Sequence, residues 1–365
     1  MNFLKRISKE FTGLKTIVLS LVLLNLISIA SLYSSLHQQG QFVGGDFFSK
    51  QLTWIAFSWI VFIIFNFINY RLYYNLSFII YTLSIILIGA VYFTGHEAMG
   101  AQRWLSIGGF SFQPSELSKL AIIIVMARFF SHPPANNFLK DFFLPFSFVG
   151  LSAFIIFSQP DLGTAIMVIL IAFAIGLFSK VNKKYFVWVL IAVLIAAPFS
   201  WTFLKSYQKK RLTAFVNPNI DPLGSGYTII QSKIAIGSGQ VFGKGFLAGT
   251  QNQFNFLPER HTDFIFTVIA EEWGFLGSLF LLFIYWLIIK KIFDRLKKIR
   301  DPFAYYLTVG IGIYFFLHVF INIGMTLGIF PVVGLPLLFV SYGGSHLISS
   351  FILLGIFFNI SRNYK

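Results

Sequence analysis

The sequence predicts an all-α polytopic membrane protein with ten transmembrane helices and a large extracytoplasmic loop between the seventh and the eighth. Three observations carry that expectation. Apolar runs repeatedly approach the roughly 20 residues needed to cross a bilayer. Of the 365 residues 56% are apolar and only 11% charged, which excludes a water-soluble globule. Basic residues gather on alternate connections between the runs, as the positive-inside rule requires.

The chain opens on MNFLKRISKEFTGLK, a basic segment ahead of the run Thr16 to Tyr33. That run is too long for the apolar core of a cleaved signal peptide, so a retained signal-anchor is expected. The other runs are Leu52 to Phe67, Leu76 to Phe93, Leu117 to Phe130, Phe142 to Phe157, Leu162 to Phe178, Tyr185 to Leu204, Phe264 to Ile289, Phe303 to Ile323 and Leu337 to Ile360. A cytoplasmic N-terminus puts Arg71, Arg128, Lys140, Lys180, Lys183, Lys184 and the cluster from Lys290 to Arg300 inside, and the C-terminus with them. The opposite orientation would strand DRLKKIRD on the wrong face. The expectation is therefore one membrane domain over residues 1–365, multi-pass in a bacterial cytoplasmic membrane, with both termini cytoplasmic.

There is no cysteine, so disulfides and thiolate chemistry are excluded. The net charge of +15 follows topology for the most part, which argues against a nucleic-acid partner. The rest is concentrated in the outer loop 205–263, where Lys205, Lys209, Lys210, Arg211, Lys233, Lys244 and Arg260 face only Asp221, Glu259 and Asp263. A loop of this length escapes the orientation rule. Its basic excess suits an anionic partner, either membrane lipid or a phosphorylated substrate.

Within that loop, NPNIDPLGSG is turn chemistry, and YTIIQSKIAIGSG has the apolar spacing of a helix along the interface. The glycines of GSGQVFGKG would let backbone approach a phosphate closely, although the spacing is not that of a Walker loop.

Other polar intrusions mark helix ends. TGHEAMGAQRWLSIGGFSFQPSELSKL is too polar for a span and leads into one; Ser115 can cap the helix behind Pro114, and Glu116 and Lys119 share one helical face. That pair either holds the bundle together or meets substrate. Asp161 in SQPDLGT caps the next helix or lines an outer vestibule, near a cation in the latter reading. Asn322 to Gly324 and IFPVVGLPLLFVSYGGS bring Pro and Gly to membrane depth, which is tolerated only where backbone faces protein or a water-filled cavity.

The densest feature is the seam LPERHTDFIF, where Glu259, Arg260, His261 and Asp263 crowd the mouth of a span. Ionisable groups there are costly and signal function. Glu271 and Glu272 lie about 12–14 Å deeper on the same helix and off its face, so internal pairs are expected of them rather than a dyad with Asp263. His318 is expected to be a buried bundle histidine, and no spacing matches a strong metal signature. Two function classes fit these residues. A transporter would use broken helices and buried acids to move an ionic substrate; an enzyme would use Asp263 as a base on a substrate hydroxyl, with cations stabilising an anionic leaving group.

The motifs GAQRWLSIGGFSFQPSELSKLA, SQPDLGTA, DPLGSGYTIIQSKIAIGSG, GKGFLAGTQNQFNFLPERHTDFIFTVIAEEWGFLG and NIGMTLGIFPVVGLPLLFVSYGGS occur in that order over nearly the whole chain. In them the sequence closely resembles the SEDS family of shape, elongation, division and sporulation proteins, in its elongation rather than its division branch. Leu338, where the family usually has Pro, and His346, where a small residue is usual, depart from the pattern.

The resemblance implies a peptidoglycan glycosyltransferase that polymerises lipid II at the outer face of the cytoplasmic membrane and releases undecaprenyl diphosphate. A lipid II flippase is the alternative within the same family. Asp263 would be the catalytic carboxylate. Arg103, Glu116, Lys119, Asp161, Lys244, Gln251, Glu259, Arg260, His261 and Ser341 would line the substrate site. The resemblance also implies a class B penicillin-binding protein as transpeptidase partner within the elongation machinery. It implies a divalent cation, Mg or Mn, near Asp263 or Asp161, and no organic cofactor.

Overall fold

The computed structural model describes every residue except 1, 39–40, 95, 99–100, 108–109, 201, 203, 205, 225 and 364–365; Lys205 of the basic loop thus lies outside the described residues. The helices are α1 (Asn2–Ser35), α2 (Gly45–Phe67), α3 (Arg71–Thr94), α4 (Pro114–Ser131), α5 (Leu144–Ser158, entered through a π turn at Leu139–Phe143), α6 (Leu162–Phe178) and α7 (Lys183–Ser200). They continue as α8 (Ser206–Val216), α9 (Tyr227–Ser238), α10 (Thr250–Gln253), α11 (Ile265–Leu296), α12 (Pro302–Thr326) and α13 (Gly344–Asn363). Among the described residues seven helical stretches, on α1, α2, α3, the α5 entry, α11, α12 and α13, are long and apolar enough to span a membrane, and α6 is a shorter apolar helix. The chain is a multi-pass membrane protein. α4 carries Glu116, Lys119 and Arg128 and buries nearly all its residues, the signature of an interior helix rather than a lipid-facing one.

The all-α expectation misses two small antiparallel sheets. β1 (His37–Gln38) pairs with β2 (Gln41–Phe42), and β3 (His96–Ala98), β4 (Ala101–Ile107) and β5 (Phe110–Phe112) form a meander ahead of α4. The polar stretch read only as a connection is therefore a folded sheet.

Two compact units are distinguished. The first comprises Met1–Ala56, Phe199–Lys291 and His318–Gly343; the second comprises Phe57–Pro198, Ile292–Leu317 and Gly344–Lys365.

In the first unit the expected span from Leu337 begins late. Residues 327–343 are irregular and helix resumes only at Gly344. The cause is local: Gly328, Gly334, Phe339 and Gly343 take positive φ, and Pro331 and Pro336 interrupt the run, so Leu338 does not restore a helix. The freed backbone groups find side-chain partners instead. Ser28 donates to Val340 O (2.8 Å), Tyr285 to Leu338 O (2.5 Å) and Asn322 to Leu335 O (2.6 Å). Gln51 donates to Ser341 O (3.3 Å) and accepts from Gly343 N (3.1 Å).

A second break falls at Gly274 in α11, with φ 67° and ψ −161°. Here the glycine-rich loop supplies the missing partners. Lys244 N and Gly245 N donate to Glu271 O and Glu272 O (both 3.0 Å), and Phe275 N and Leu276 N donate to Gln240 O (2.8 Å) and Val241 O (3.1 Å). Gly243 N is spent on Gly239 O (2.8 Å). The glycines therefore admit helix backbone rather than a phosphate: a Cβ on Gly243 would lie 2.1 Å from Glu272 O, and one on Gly239 2.0 Å from Ala270 O. By contrast Gly237, in α9, has open space where a Cβ would go.

Gly243→Ala combines that clash with φ +81° and should destabilise the protein by roughly 2–5 kcal/mol. Gly237→Ala should be neutral or stabilise by roughly 0.5–1 kcal/mol. Thermal unfolding in detergent checks both; a wild-type melting temperature for Gly243→Ala would show that the splint is dispensable.

Candidate active site

The seam expected at Asp263 is where helix begins: residues 261–264 are a turn and α11 starts at Ile265. Three consecutive carbonyls of this turn are tied down. His261 O accepts from Tyr342 N (2.9 Å), Thr262 O from the Ser341 hydroxyl (2.6 Å) and Asp263 O from the Asn322 amide (2.9 Å). Ser341 also accepts from Leu337 N (2.8 Å), so one hydroxyl couples the irregular stretch to the turn. The Asp263 side chain is half-buried, and a Cβ on Gly334 would come 3.4 Å from its Oδ2. The carboxylate thus lies beside a glycine, where backbone rather than a side chain forms the wall.

The neighbouring ionisable groups hold the turn. Glu259, at φ 53°, accepts from Thr262 N and Phe264 N through its carbonyl (3.2 Å each) and from the Thr262 hydroxyl through its carboxylate (3.0 Å). Arg260 is buried and its Nε donates to Ser35 O (2.8 Å) at the C-terminal end of α1, the negative end of that helix. Burial pulls its pKa below the usual arginine value, and the guanidinium stays charged at neutral pH. His261 packs near the rings of Phe47 (5.6 Å) and Tyr342 (6.1 Å).

Glu271 and Glu272 make internal pairs. Lys244 Nζ reaches Glu271 Oε1 at 2.7 Å, where the Thr250 hydroxyl and Gln251 N also donate (3.1 Å each), and the Ser34 hydroxyl donates to Glu272. Gln251 Oε1 is buried with no protein partner.

The second unit holds the other expected positions. Asp161 caps α6 by accepting from Thr164 N (3.1 Å). Its Oδ2 accepts from Gln113 Nε2 (3.0 Å) and from the Ser115 hydroxyl (3.5 Å), and Arg103 Nη1 stands 3.9 Å from Oδ1. Ser115 is therefore not the cap of α4. The N-cap is Gln113, without a side-chain cap bond, and Pro114 opens the helix. Glu116 and Lys119 pair at 2.7 Å with side-chain exposures of only 3% and 0%, and the ammonium lies 5.5 Å from the centre of the Tyr314 ring. His318, in the first unit, is fully buried. The Asp263 group belongs to the first unit and the Asp161 group to the second.

Sequence reasoning missed Gln113, Gln51 and the positioning role of Asn322. A lone amide inside an apolar run is the available signal, because at membrane depth it must be partnered.

Among the described residues no three His, Cys, Asp or Glu converge as a metal site. The Asp161 oxygens already accept from protein donors, and Glu259 is folded onto Thr262.

Fold and site together define a polytopic membrane protein that presents a tethered carboxylate at a helix mouth. The chain belongs to the FtsW, RodA and SpoVE family of cell cycle proteins, whose profile matches residues 12–365. It is 39% identical over 351 residues to the peptidoglycan glycosyltransferase MrdB of Escherichia coli K12, covering 96% of this chain and 94% of that protein. It is 28% identical over 418 residues to the peptidoglycan glycosyltransferase RodA of Treponema pallidum, covering 94% and 96%. Among solved structures, a chain from a study of polymerization and crosslinking by a peptidoglycan synthase complex matches with TM-score 0.82 and 28% identity over 95% of this chain and 97% of that one. The rod shape determining protein RodA of Thermus thermophilus shares the fold, with TM-score 0.71 and 24% identity over 95% and 96%.

Burial holds the His261 pKa below its ordinary 6.5, with Glu259 opposing and Arg260 reinforcing that shift. Between the folded value and 6.5 the unfolded chain binds more protons, so stability is full above that window and falls as pH drops through it. Lowering the pH from about 7.5 to about 5.5 should therefore lower the melting temperature, and His261→Gln should flatten that dependence. An unchanged slope in the variant would place the titration elsewhere.

Proposed function

We propose that this chain is a peptidoglycan glycosyltransferase that polymerises lipid II during cell elongation. Its relatives carry that activity in their names at 39% identity over 96% of the chain. The observation that carries the mechanism is the half-buried Asp263, held on a turn whose carbonyls are fixed from 322, 341 and 342.

In this reading Asp263 takes the proton from the acceptor sugar's C4 hydroxyl. That oxygen attacks the anomeric carbon of the lipid-linked donor, and the bond to diphosphate breaks, releasing undecaprenyl diphosphate. A turn tied at three carbonyls fixes the backbone from which the carboxylate projects. Arg260 supplies positive charge in the same unit as Asp263. Glu116 and Lys119, closed to solvent, hold the second unit together rather than meet substrate.

The topology proposed with it has ten spans, α1 to α7 and α11 to α13, with α8 to α10 in the outer loop and both termini cytoplasmic. Alternate basic connections support it. The diphosphate-linked isoprenoid can then stay in the bilayer while the sugars react above it. The proposed partner is a class B penicillin-binding protein that cross-links the new glycan; the similarity to a chain from a synthase complex supports it.

The test is polymerisation of lipid II in detergent, which removes any need for flipping, with the partner protein present. Asp263→Asn should fold with a wild-type melting temperature and lose polymer by roughly 100-fold or more. Normal polymer from that variant would remove Asp263 from the chemistry.

A further inference from the structure

The second unit has a cavity that the reaction above does not use. It lies at the C-terminal end of α4, whose N-terminal end carries Gln113 and Glu116. Eighteen helical residues separate those ends by ~27 Å, nearly the thickness of a bilayer core. The cavity is therefore at the opposite membrane boundary from the Asp161 cluster. Its volume is about 360 Å³, inside the roughly 300–1,000 Å³ range of small-molecule sites.

Its lining is cationic, from three separate elements. Arg128 closes α4, Lys140 sits in the π turn before α5, and Lys180 follows α6. Arg128 is fixed in place: its Nη1 donates to Tyr74 O (2.8 Å) and to the Ser77 hydroxyl (2.9 Å), and the guanidinium lies 4.5 Å from the centre of the Phe78 ring. The one acid on the wall, Asp141, is committed to the amides of Ala135 (2.8 Å) and Asn137 (3.1 Å). The negative end of α6 is covered as well, since Lys183 Nζ donates to Leu177 O (2.6 Å) and Ser179 O (2.5 Å). His132 Nδ1 donates to Arg128 O (3.0 Å), and its Nε2 lies 3.2 Å from the Tyr74 hydroxyl. The balance of the cavity is positive.

The remaining wall is apolar. Phe78 and Phe129 line it together with Pro145, and further along α3 and α5 expose Ile79, Leu83, Leu151 and Phe154 at 48–72%. A positive pocket with an apolar wall, on helices that expose apolar side chains further along, has the chemistry of a phosphate headgroup with acyl chains attached.

We propose that this cavity binds the phosphate headgroup of an anionic phospholipid, with Arg128, Lys140 and Lys180 on the phosphate and the acyl chains along α3 and α5. A free phosphate would satisfy the cations but leave the apolar faces unexplained. The proposal goes beyond the glycosyltransferase reading and rests only on the membrane-spanning fold, so either can fail without the other.

The test uses the full chain, delipidated in detergent and returned to phosphatidylglycerol, phosphatidylcholine or inorganic phosphate. Native mass spectrometry counts retained lipid, and thermal unfolding reads protection. Phosphatidylglycerol should be retained and protect; the other two should not. Lys140→Gln/Lys180→Gln alters exposed side chains and should weaken retention by roughly 25-fold, following about fivefold per basic residue near an anionic surface. Lys297→Gln/Lys298→Gln, the same charge change elsewhere, should leave it intact. Equal protection by phosphatidylcholine, equal protection by inorganic phosphate, full retention by the first variant, or equal loss in the control would each overturn the site.

Discussion

In hydrocarbon a backbone amide or carbonyl has no water to turn to, and each one left unpaired costs several kcal/mol. That constraint governs this chain, because it interrupts helix twice in its apolar portion, at Gly274 and over 327–343. Both interruptions survive only because other segments supply the missing bonds. At Gly274 the exchange is backbone for backbone, with residues 240–245 taking the place of the next helical turn. Over 327–343 it is side chain for backbone, with Ser28, Gln51, Tyr285 and Asn322 each sent in from a different helix.

The same bonds position the site. Ser341 and Asn322 each make one contact within the irregular stretch and one to the turn that carries Asp263. Satisfying the break and orienting the carboxylate are therefore one task. Removing either side chain strands a carbonyl of the turn, at about 1–3 kcal/mol, and loosens the acid as well. Glu271 works alike at the other break: its carbonyl accepts from Lys244 N while its carboxylate takes Lys244 Nζ and Gln251 N.

What could be read in the sequence follows what each signal measures. Hydropathy located the helices and the seam before Ile265, because polarity changes abruptly at Asp263. It extended the last span too far, since LPLLFVSY is as apolar as a helix and apolarity does not encode φ. The glycines of residues 237–245 announced a close backbone approach but not its object, which proved to be α11. The Glu116–Lys119 pair was legible from spacing along one helix. The bond from Gln113 to Asp161 was not, nor were those from Gln51 and Asn322, because they join segments far apart in sequence. The strands between His96 and Phe112 were hidden by Gln, Arg and Ser among their apolar residues.

The central claim is that Asp263 stands at a water-accessible rim of the membrane on its outer side. The chain has no cysteine, so Asp263→Cys would carry the sole thiol. Labelling that variant in intact spheroplasts with a charged, membrane-impermeant maleimide is the direct test. The account predicts modification from outside before any detergent is added. A thiol that reacts only from the cytoplasmic side, or only after the membrane is dissolved, would contradict it.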